Sequence, residues 1–595
     1  MDAEEAVRDA RPMRALALAL VLLPCPALAQ ELVVQPYVQD RGPTSAWILW
    51  ETSAGEESRV EWGPSEALGT SSTGGSIATE GAHRVHEVEL SPLAPGTRYH
   101  YRVHTGAAVS ASFHFTTPAL AEAETSFRLV AVSDMQRDAA NPEVWGRVVH
   151  EGILAQLAEE SPLPDEALSL VLLPGDLVDD GRVHAQWVEE FFAPAADLMA
   201  LVPFYPVIGN HEENHPFFDA YFRLPEGRVS TDRYWWFDHG NVRIVGLDSN
   251  ALLYGGAQEA LLEDALGPAC TEPSIDFVFV EMHHPYHSEL WPRGESIFAR
   301  QVTERMDRFA RECGRPAVMF YGHTHAYSRG ASRDAAHLWI NVATAGGNID
   351  YVGEYDDQYD DPEVQVSQDE WGFVVLDVEA GDAPRLSLRR YGMGSETAGA
   401  TRVLRDAWSL RRFGQPPAAP TPLLPRGRVA PACTTLSAGA LVDPDGDALF
   451  AAHFQVAASC EDWDAPLVDR YQAAENVYGA EDRAAGLDPR RAALEGLPAD
   501  TYLCWRVRYR DGNLDWSPWS APTAFVLEAS GTSDCDDGAP LPPPVPADAG
   551  APAASAPGCA AAPGRANGLA GLVALVLLAV GTAHRRVKTG ARARG

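Results

Sequence analysis

Five short polar clusters in this chain each stand directly after an apolar run rich in β-branched and aromatic residues. The runs are Phe127 to Val132, Leu168 to Leu173, Phe204 to Ile208, Phe277 to Met282 and Ala317 to Tyr321. Because they are continuously apolar rather than alternating, they predict buried strands of the parallel type. Ligands of open α/β sheets lie beyond the carboxyl ends of the strands. The five clusters are therefore predicted to meet at one edge of one sheet.

The clusters share Asp, Asn and His. They are Ser133-Asp134-Met135-Gln136, Gly175-Asp176-Leu177-Val178-Asp179-Asp180, Gly209-Asn210-His211-Glu212, His283-His284-Pro285 and Gly322-His323-Thr324-His325. Oxygen and imidazole donors at one place can hold two hard-to-borderline cations, with one carboxylate left to bridge them. The pattern predicts a hydrolytic site with two metals. The alternative, a set of coincidental turn residues, has to account for five clusters in order at five strand ends.

In this order the clusters resemble the calcineurin-like metallophosphoesterase superfamily, and the chain from about Leu32 to Tyr391 looks most like its purple acid phosphatase branch. The resemblance implies an α/β catalytic domain over residues 125–395, folded as a four-layer αββα sandwich. It also implies a dinuclear centre of Fe, Zn or Mn. In that centre Asp176 would bridge both ions, and the other ligands would be Asp134 and His325 for the first ion and Asn210, His283 and His323 for the second. His283 is preferred to His284 because the family's ligand stands two residues before proline.

The same resemblance assigns the catalytic roles. Two cations would lower the pKa of a shared water and hold the phosphoryl oxygens during in-line attack. His211 would donate to the phosphoryl oxygen or the leaving group. Asp179 would orient His211, as the Asp at that position does in the superfamily's serine/threonine protein phosphatases; a turn carboxylate is the alternative. His287 and Arg293 are candidate substrate contacts, with surface positions as the alternative.

Two departures from the family pattern concern the first metal. The superfamily usually has Asp-x-His where this chain has Asp134-Met135-Gln136, and purple acid phosphatases have tyrosine where this chain has Asp179. Gln136 is predicted to offer a neutral amide oxygen, a weaker donor than imidazole. Without tyrosinate, the source of the purple colour is missing.

The formal charge of the chain is −37 at pH 7. Polyanions are repelled by such a field except where a metal or arginine reverses it locally. We therefore expect no nucleic-acid-binding surface. The family resemblance implies a phosphate ester as the substrate.

Both ends of the chain carry targeting features. Residues 1–29 have the charged, apolar and small-residue regions of a secretory signal peptide, with the mature chain beginning at Gln30; a buried helix is the alternative. Residues 566–595 combine the apolar run Leu569 to Val580 with a basic tail, and together with Cys559 they resemble the C-terminal surface-sorting signals of myxobacterial proteins. A plain transmembrane anchor is the alternative. The protein is expected to be exported to the cell surface or outer envelope, with release from the cell left open.

Two all-β blocks flank the catalytic domain. Residues 30–120 and 426–529 resemble fibronectin type III sandwiches, the first as in the N-terminal module of purple acid phosphatases. A Pro-rich linker over 396–425 and a disordered stalk over 530–565 are predicted between and after them. The segment Asp443-Pro444-Asp445-Gly446-Asp447 could bind calcium, but it lacks the remaining ligands of an EF-hand loop, and a turn is favoured.

Six cysteines lie between the leader and the tail, and an even number in an exported chain indicates disulfides. Cys270 and Cys313 each stand just before a strand, at the end opposite the metals, and are predicted to pair. Pairing among Cys433, Cys460, Cys504 and Cys535 stays open.

The sequence therefore predicts an exported dinuclear phosphoesterase acting on phosphomonoesters. Hydrolysis of phosphodiesters or nucleotides at the same site is one alternative. A surface adhesion or binding protein with a catalytically weak centre is the other. The presence of His211 together with every ligand of the second metal favours an enzyme.

Overall fold

A computed structural model describes residues 30–161, 163–225, 233–397 and 401–530, together with Cys535 and Leu541. The predicted leader, most of the predicted stalk and the C-terminal segment lie outside these residues. Within the described ranges, no helix is both long and apolar enough to span a membrane.

The first block is a sandwich of two antiparallel sheets. Its strands are β1 (Leu32–Gln39), β2 (Ala46–Thr52), β3 (Arg59–Gly63), β4 (Thr70–Thr73), β5 (Gly75–Ala78), β6 (Arg84–Leu90), β7 (Arg98–Thr105), β8 (Ala108–Val109) and β9 (Phe113–Thr116). One sheet has the order β1-β2-β6-β5; the other has the order β4-β3-β7-β8, with β9 also paired to β7. Trp50, Tyr101 and Phe115 fill the core between them. β7 alternates half-buried and buried residues from Arg98 to Val103, whereas β2 is buried at six of its seven residues.

The catalytic block alternates strands with helices. Its strands are β10 (Phe127–Ala131), β11 (Leu170–Leu173), β12 (Phe204–Pro206), β13 (Trp235–His239), β14 (Val242–Gly246), β15 (Phe277–Glu281), β16 (Ala317–Tyr321), β17 (Tyr327–Ala331), β18 (His337–Asn341), β19 (Val364–Gln368), β20 (Gly372–Glu379), β21 (Arg385–Gly392) and β22 (Val403–Arg411). Its α-helices are α1 (Val144–Arg147), α2 (Ala155–Glu160), α3 (Pro164–Ala167), α4 (His184–Gln186), α5 (Ala193–Met199), α6 (Pro216–Tyr221), α7 (Gly256–Thr271) and α8 (Ile297–Cys313). π-helical turns over Val148–Leu154 and Trp187–Phe192 join α1 to α2 and α4 to α5.

The strands that precede the polar clusters belong to two sheets, so the prediction of one sheet is wrong. β10, β11 and β12 are parallel neighbours in a six-stranded sheet of order β12-β11-β10-β20-β21-β22. β15 and β16 are parallel neighbours in a second, larger sheet. Both sheets carry apolar residues on their facing sides, and Leu129, Leu172, Phe279 and Phe320 share one buried core. Each sheet needs cover on both faces, so the runs divide between two layers. The polar clusters that follow them still meet at one edge of the two packed sheets, which we call the rim.

Helices cover the outer faces of the two sheets. Trp145 of α1 packs in one core with Val130 of β10. Phe298 of α8 packs in another core with Val280 of β15. The order of layers is therefore αββα, as the family resemblance implies.

The second β-rich block follows the catalytic sheet. Its strands are β23 (Pro422–Leu424), β24 (Gly427–Val429), β25 (Thr435–Ala438), β26 (Leu449–Ala457), β27 (Val468–Ala473), β28 (Val477–Tyr478), β29 (Glu481–Asp482), β30 (Arg491–Ala493), β31 (Tyr502–Asp511) and β32 (Thr523–Leu527). Two sheets of order β24-β32-β31-β26-β27 and β23-β25-β30 enclose a core that includes Trp505. β28 instead pairs with β19, and β29 pairs with β28. They extend the second catalytic sheet to the order β13-β14-β15-β16-β18-β17-β19-β28-β29.

The boundary predicted at residue 395 falls short of the catalytic sheet. β22 lies inside the predicted linker 396–425, yet it pairs antiparallel with β21 along its length. Seven of its nine residues are exposed or half-buried, which fits its place at the edge of the sheet. The connection to the second block therefore begins after Arg411.

The predicted disulfide between Cys270 and Cys313 is confirmed, and it joins the ends of α7 and α8. The structure also decides the pairs that the sequence left open, Cys433 with Cys535 and Cys460 with Cys504. Three disulfides are typical of proteins from oxidising compartments.

Candidate metal centre

Asp176 lies at the middle of the rim, in the turn after β11. Its backbone has a positive φ of 54°, and its side chain is 1% exposed. The turn of Gly209 approaches so closely that a Cβ there would stand 2.1 Å from Asp176 Oδ1. That oxygen accepts a hydrogen bond from the His211 amide at 2.9 Å. The carboxylate is thereby held from the backbone side, with Oδ2 turned toward the neighbouring imidazole.

His283 brings together the donors predicted for the second ion. Its Nδ1–H donates to the Pro174 carbonyl at 2.8 Å. Its Nε2 stands 2.9 Å from Asn210 Oδ1, 3.1 Å from Asp176 Oδ2 and 3.2 Å from His323 Nδ1. In the neutral ring Nε2 has a lone pair, so four electron-rich atoms face one another there. A cation among them would satisfy all four, which is why the residues fit a metal.

Asp134 and His325 bring together the donors predicted for the first ion. Asp134 follows β10 with a φ of 58° and is fully buried. Its Oδ1 accepts from the His323 amide at 3.0 Å and stands 3.3 Å from His325 Nε2. His325 Nδ1–H donates to the Asn348 carbonyl at 2.7 Å. As at His283, the proton lies on Nδ1, so the lone pair of Nε2 faces the other atoms that would bind the ion.

The side-chain amide of Gln136 lies beside the ring of His325. Its amide nitrogen stands 3.0 Å from His325 Nε2. Its Oε1 is buried and has no hydrogen-bond partner. A half-turn of the amide would direct that oxygen toward His325 and Asp134. A buried oxygen without a donor fits a ligand to a cation better than it fits a hydrogen-bonded core residue.

The carboxylates bias the protonation of the two imidazoles. Burial lowers the pKa of His283, but the charge and hydrogen bond of Asp176 together with the charge of Asp134 and the Pro174 carbonyl raise it to about 9. Burial likewise lowers the pKa of His325, and Asp134 raises it to about 9. For Asp176 burial raises the pKa, whereas the charges and hydrogen bonds of His283 and His211 together lower it below its usual value. Each carboxylate–imidazole pair thus favours a positive charge between its members, the role that a cation would take over.

His211 lies at the rim, half-buried, beside the Asp176 carboxylate. Its Nδ1–H donates to the backbone carbonyl of Asp179 at 2.6 Å, and the Asp179 carboxylate is 3.8 Å from Nδ1. Its Nε2 lies 3.9 Å from Asp176 Oδ2. The ring is therefore oriented mainly by a main-chain oxygen, and the exposed side chain of Asp179 adds charge nearby.

The two predicted substrate contacts are paired with carboxylates. His287 Nδ1 lies 3.7 Å from Glu295 and 3.6 Å from Asp361. Arg293 Nε donates to Asp357 at 2.8 Å. Trp291 lies between them in the chain and stands beside a predicted metal ligand. The centroid of its ring is 5.1 Å from the centroid of the His323 ring.

His284 does not join the metal donors. Its Nδ1 is 2.9 Å from the hydroxyl of Ser249, and its ring lies against the ring of His323 at 4.3 Å. It therefore packs beside a predicted ligand, and His283 is the member of the pair that meets Asp176.

Two carboxylates that support the centre have no role in the sequence interpretation. Glu212 is fully buried and accepts from the amides of Leu177 at 2.7 Å and Gly209 at 2.6 Å. Asp350 accepts from the His325 amide at 2.8 Å. The position of Glu212 directly after His211, inside a polar cluster, was a usable signal. No comparable signal marked Asp350, which lies outside the five clusters.

Two family models match the chain. Residues 127–327 match the calcineurin-like phosphoesterase model, and residues 34–117 match the model of the purple acid phosphatase N-terminal domain. The first range runs from the start of β10 to the first residue of β17, and the second covers most of the first sandwich.

Known proteins agree with these matches. The chain is 24% identical over 359 residues to a probable purple acid phosphatase 20 of Arabidopsis thaliana, covering 56% of this chain and 78% of the relative. It resembles the structure of purple acid phosphatase PPD1 from yellow lupin seeds, with a TM-score of 0.50, 16% identity, and 63% of this chain and 73% of that chain covered. It also resembles the structure of PhoD, with a TM-score of 0.51, 14% identity, and 64% and 90% covered. The two structural likenesses concern the fold.

Proposed function

Because this chain is a phosphoesterase with a calcineurin-like catalytic domain and a dinuclear metal centre, we propose that it is an exported hydrolase of phosphomonoesters. The observation that carries the proposal is the meeting of Asp176 with His283 and His323, whose ligand atoms lie within 4.8 Å of one another. Asn210 stands at the same point, 2.9 Å from His283 Nε2. Four donors from four separate loops would hold one ion, and Asp134, Gln136 and His325 would hold the other with Asp176 shared.

The two ions, when bound, supply an acidified water and a positive field for the phosphoryl oxygens. The residues of this chain then orient the reactants. His283 and His325 are fixed in rotation because each Nδ1–H is held by a main-chain carbonyl. Asp176 is fixed by the amide of His211. Such a rigid donor set keeps the ligand atoms in place between turnovers.

His211 is proposed to act on the substrate. Its Nδ1 is committed to the Asp179 carbonyl, so its proton is held at that atom and Nε2 is the nitrogen that faces the open rim. In the protonated ring Nε2–H can donate to a phosphoryl oxygen or to the leaving oxygen. The Asp179 carboxylate, 3.8 Å from Nδ1, stabilises the charged ring through space.

The charge around the rim favours small phosphate esters. Arg182 pairs with Asp180 at 2.7 Å, and Arg293 pairs with Asp357. With these guanidinium groups engaged, the phosphoryl group would be met by the ions and His211. The strongly acidic chain would repel a polyanion beyond the first phosphate.

Export and attachment are part of the proposal. Three disulfides and the leader-like residues 1–29 support an exported chain. The apolar run and basic tail within residues 566–595 would hold it to the cell envelope. The fibronectin type III-like character of the two flanking sandwiches would make them spacers or binding modules around the catalytic domain.

The test is a paired assay on the purified mature protein. Bound metal is measured, and an aryl phosphomonoester and a bis-aryl phosphodiester are offered to the same sample. We expect about two ions per chain and faster hydrolysis of the monoester. Preference for the diester would favour the phosphodiesterase alternative, and metal binding without hydrolysis of either ester would favour an adhesion protein.

Asp176→Asn keeps the size of the bridging side chain and removes its charge. We expect hydrolysis to fall by at least about a hundredfold and bound metal to decrease, with little change in melting temperature. Asp197→Asn, which changes an exposed carboxylate on α5, is the matched control. A folded Asp176→Asn variant with near-normal turnover would contradict the assignment.

A further inference from the structure

Two Asp-rich turns meet at one end of the second sandwich. The turn Asp443–Asp447 precedes β26, and the turn Asp511–Asp515 begins at the last residue of β31. β26 and β31 are antiparallel neighbours, and Leu449 is paired with Asp511. The start of one strand and the end of the other therefore bring the turns together.

The first aspartate of each turn uses its carboxylate in the same way. Asp443 Oδ1 accepts from the amides of Asp445 at 2.9 Å and Asp447 at 2.8 Å. Asp511 Oδ1 accepts from the amides of Asn513 and Asp515, each at 2.9 Å. One oxygen of each carboxylate thus closes its own turn, and the second oxygen is left for another partner.

The second oxygens have no partner within the described part of the chain. Asp511 is fully buried, and its Oδ2 makes no hydrogen bond; Asp443 Oδ2 is also buried and makes none. One carboxylate oxygen from each of Asp443, Asp447 and Asp511 lies within 4.8 Å of the others. Burying a carboxylate oxygen without a donor is costly, and bringing three negative groups together adds repulsion.

The one arginine seen to bond this cluster leaves Asp443 and Asp511 unpaired. Arg411 donates to both oxygens of Asp447, through Nη1 to Oδ1 at 3.0 Å and through Nη2 to Oδ2, and its Nη2 also donates to Asp445 at 3.3 Å. Its guanidinium therefore addresses the outer carboxylates. The buried Oδ2 atoms of Asp443 and Asp511 accept no hydrogen bond from Arg411.

We propose that Asp443, Asp447 and Asp511 bind a calcium ion between the two turns. Calcium takes only oxygen ligands, six to eight in number, and tolerates irregular geometry. The cluster offers carboxylate oxygens only, with no imidazole or thiolate, so a softer metal has no advantage there. The turn that the sequence favours for Asp443–Asp447 is present, and it serves as half of the site.

The ion would lie beside the junction of two domains. Arg411 is the last residue of β22 in the catalytic sheet, and its backbone amide donates to Asn513 Oδ1 at 2.6 Å. The turn that would hold calcium thereby also holds the end of the catalytic sheet. Calcium would stiffen this junction and raise the stability of the second sandwich, without a role in hydrolysis.

The test compares wild type with Asp511→Asn, in which Oδ1 of the amide can still close the turn. Melting is followed in EGTA, in millimolar CaCl₂ and in millimolar MgCl₂. For wild type we expect calcium to raise the melting temperature of the second sandwich by about 3 °C or more, and magnesium to raise it less. For Asp511→Asn we expect calcium affinity to fall at least about tenfold. In EGTA this variant should melt no lower than wild type, because the substitution removes a negative charge that the neighbouring carboxylates repel.

Two controls separate this site from other effects. Asp462→Asn changes an exposed turn aspartate of the same block, whose Oδ1 accepts from the Asp464 amide, and should keep the full calcium response. The same titrations on an Asp176→Asn background should give the same difference, which separates the site from the catalytic centre. Equal calcium binding by wild type and Asp511→Asn, or no binding by wild type at millimolar calcium, would overturn the proposal.

Discussion

The carboxylate of Glu212 accepts a hydrogen bond at 3.1 Å from the backbone amide of Asp176. Its oxygens also accept from the amides of Leu177 and Gly209, so one buried carboxylate holds the turn after β11 and the turn after β12. Both turns carry predicted metal ligands. Burial and the nearby charge of Asp176 raise the pKa of Glu212. The amides that converge on the carboxylate favour its ionised form and so oppose the protonation that burial favours.

Glu212→Gln should weaken metal binding indirectly, because Glu212 holds the two turns that carry predicted ligands. In glutamine an amide NH₂ group takes the place of one carboxylate oxygen. This NH₂ donor would then face a backbone N–H donor, and one hydrogen bond would be lost. We expect a loss of about 1.5–3 kcal/mol in the free energy of unfolding and roughly tenfold to hundredfold weaker metal binding. Urea denaturation and metal titration measure the two effects. Glu213→Gln, which changes the exposed neighbour, should alter neither; equal behaviour of the two variants would remove Glu212 from this role.

Gln136→His should tighten the first metal site. Imidazole is a stronger donor than an amide oxygen for zinc or ferrous iron, and the buried Oε1 of Gln136 marks a position where a donor is available. In wild type the first ion should exchange readily while the second persists through dialysis. Metal titration after chelation, read by bound metal and restored hydrolysis, compares wild type with Gln136→His and Gln136→Ala. Identical curves for all three proteins would mean that Gln136 is no ligand.

The iron-loaded protein should lack the visible charge-transfer band of purple relatives. Asp179 stands three residues after Asp176, where the purple enzymes have tyrosine, and its main-chain carbonyl is bonded to His211. A carboxylate gives no such band. Absorption spectra of the as-isolated and iron-reconstituted protein check this. A strong band in the green region would show that another tyrosine binds iron.

The contact between the first sandwich and the catalytic domain should weaken as the pH rises. His184 Nε2 is 2.9 Å from Glu51 on β2, and Glu80 and His83 also face the ring, at 3.6 Å and 3.4 Å. Burial lowers the pKa of His184, but the hydrogen bond and charge of Glu51 together with the charge of Glu80 outweigh burial, and the net shift of the pKa is upward. The folded pKa is thus above the unfolded value of about 6.5. The stabilisation is complete below that value and is lost as pH rises through the folded pKa.

His184→Gln should therefore be less stable than wild type at acidic pH, with the difference shrinking toward pH 9. Melting temperatures of both proteins across pH 5 to 9 provide the measurement, with His150→Gln, an exposed histidine of the catalytic domain, as control. A difference independent of pH would show that the ring acts by packing alone.

Much of the catalytic rim could be predicted because its residues lie in short segments directly after apolar strands. A run such as Ala317 to Tyr321 determines its own strand, and the polar residues that follow it must then lie at the strand end. The pairing of Cys270 with Cys313 followed from the same local reasoning. The division of the strands between two sheets did not, because a continuous apolar run shows that both faces are buried but not against what.

The orientation of individual groups depended on tertiary contacts. Asp179 was expected to orient His211 with its carboxylate, yet the path of the turn presents its main-chain oxygen at 2.6 Å. Glu212 gained its role from amides on two other turns.

The sequence by itself determined the strands, the order of the polar clusters and the residue types available for metals. Only the tertiary structure decided which turns meet. Asp443 and Asp447 alone form a turn with two carboxylates. The antiparallel pairing of β26 with β31 adds the buried Asp511 from a distant part of the chain and creates the cluster. The physical reason is that local patterns set backbone conformation, whereas long-range strand pairing and core packing set which side chains become neighbours.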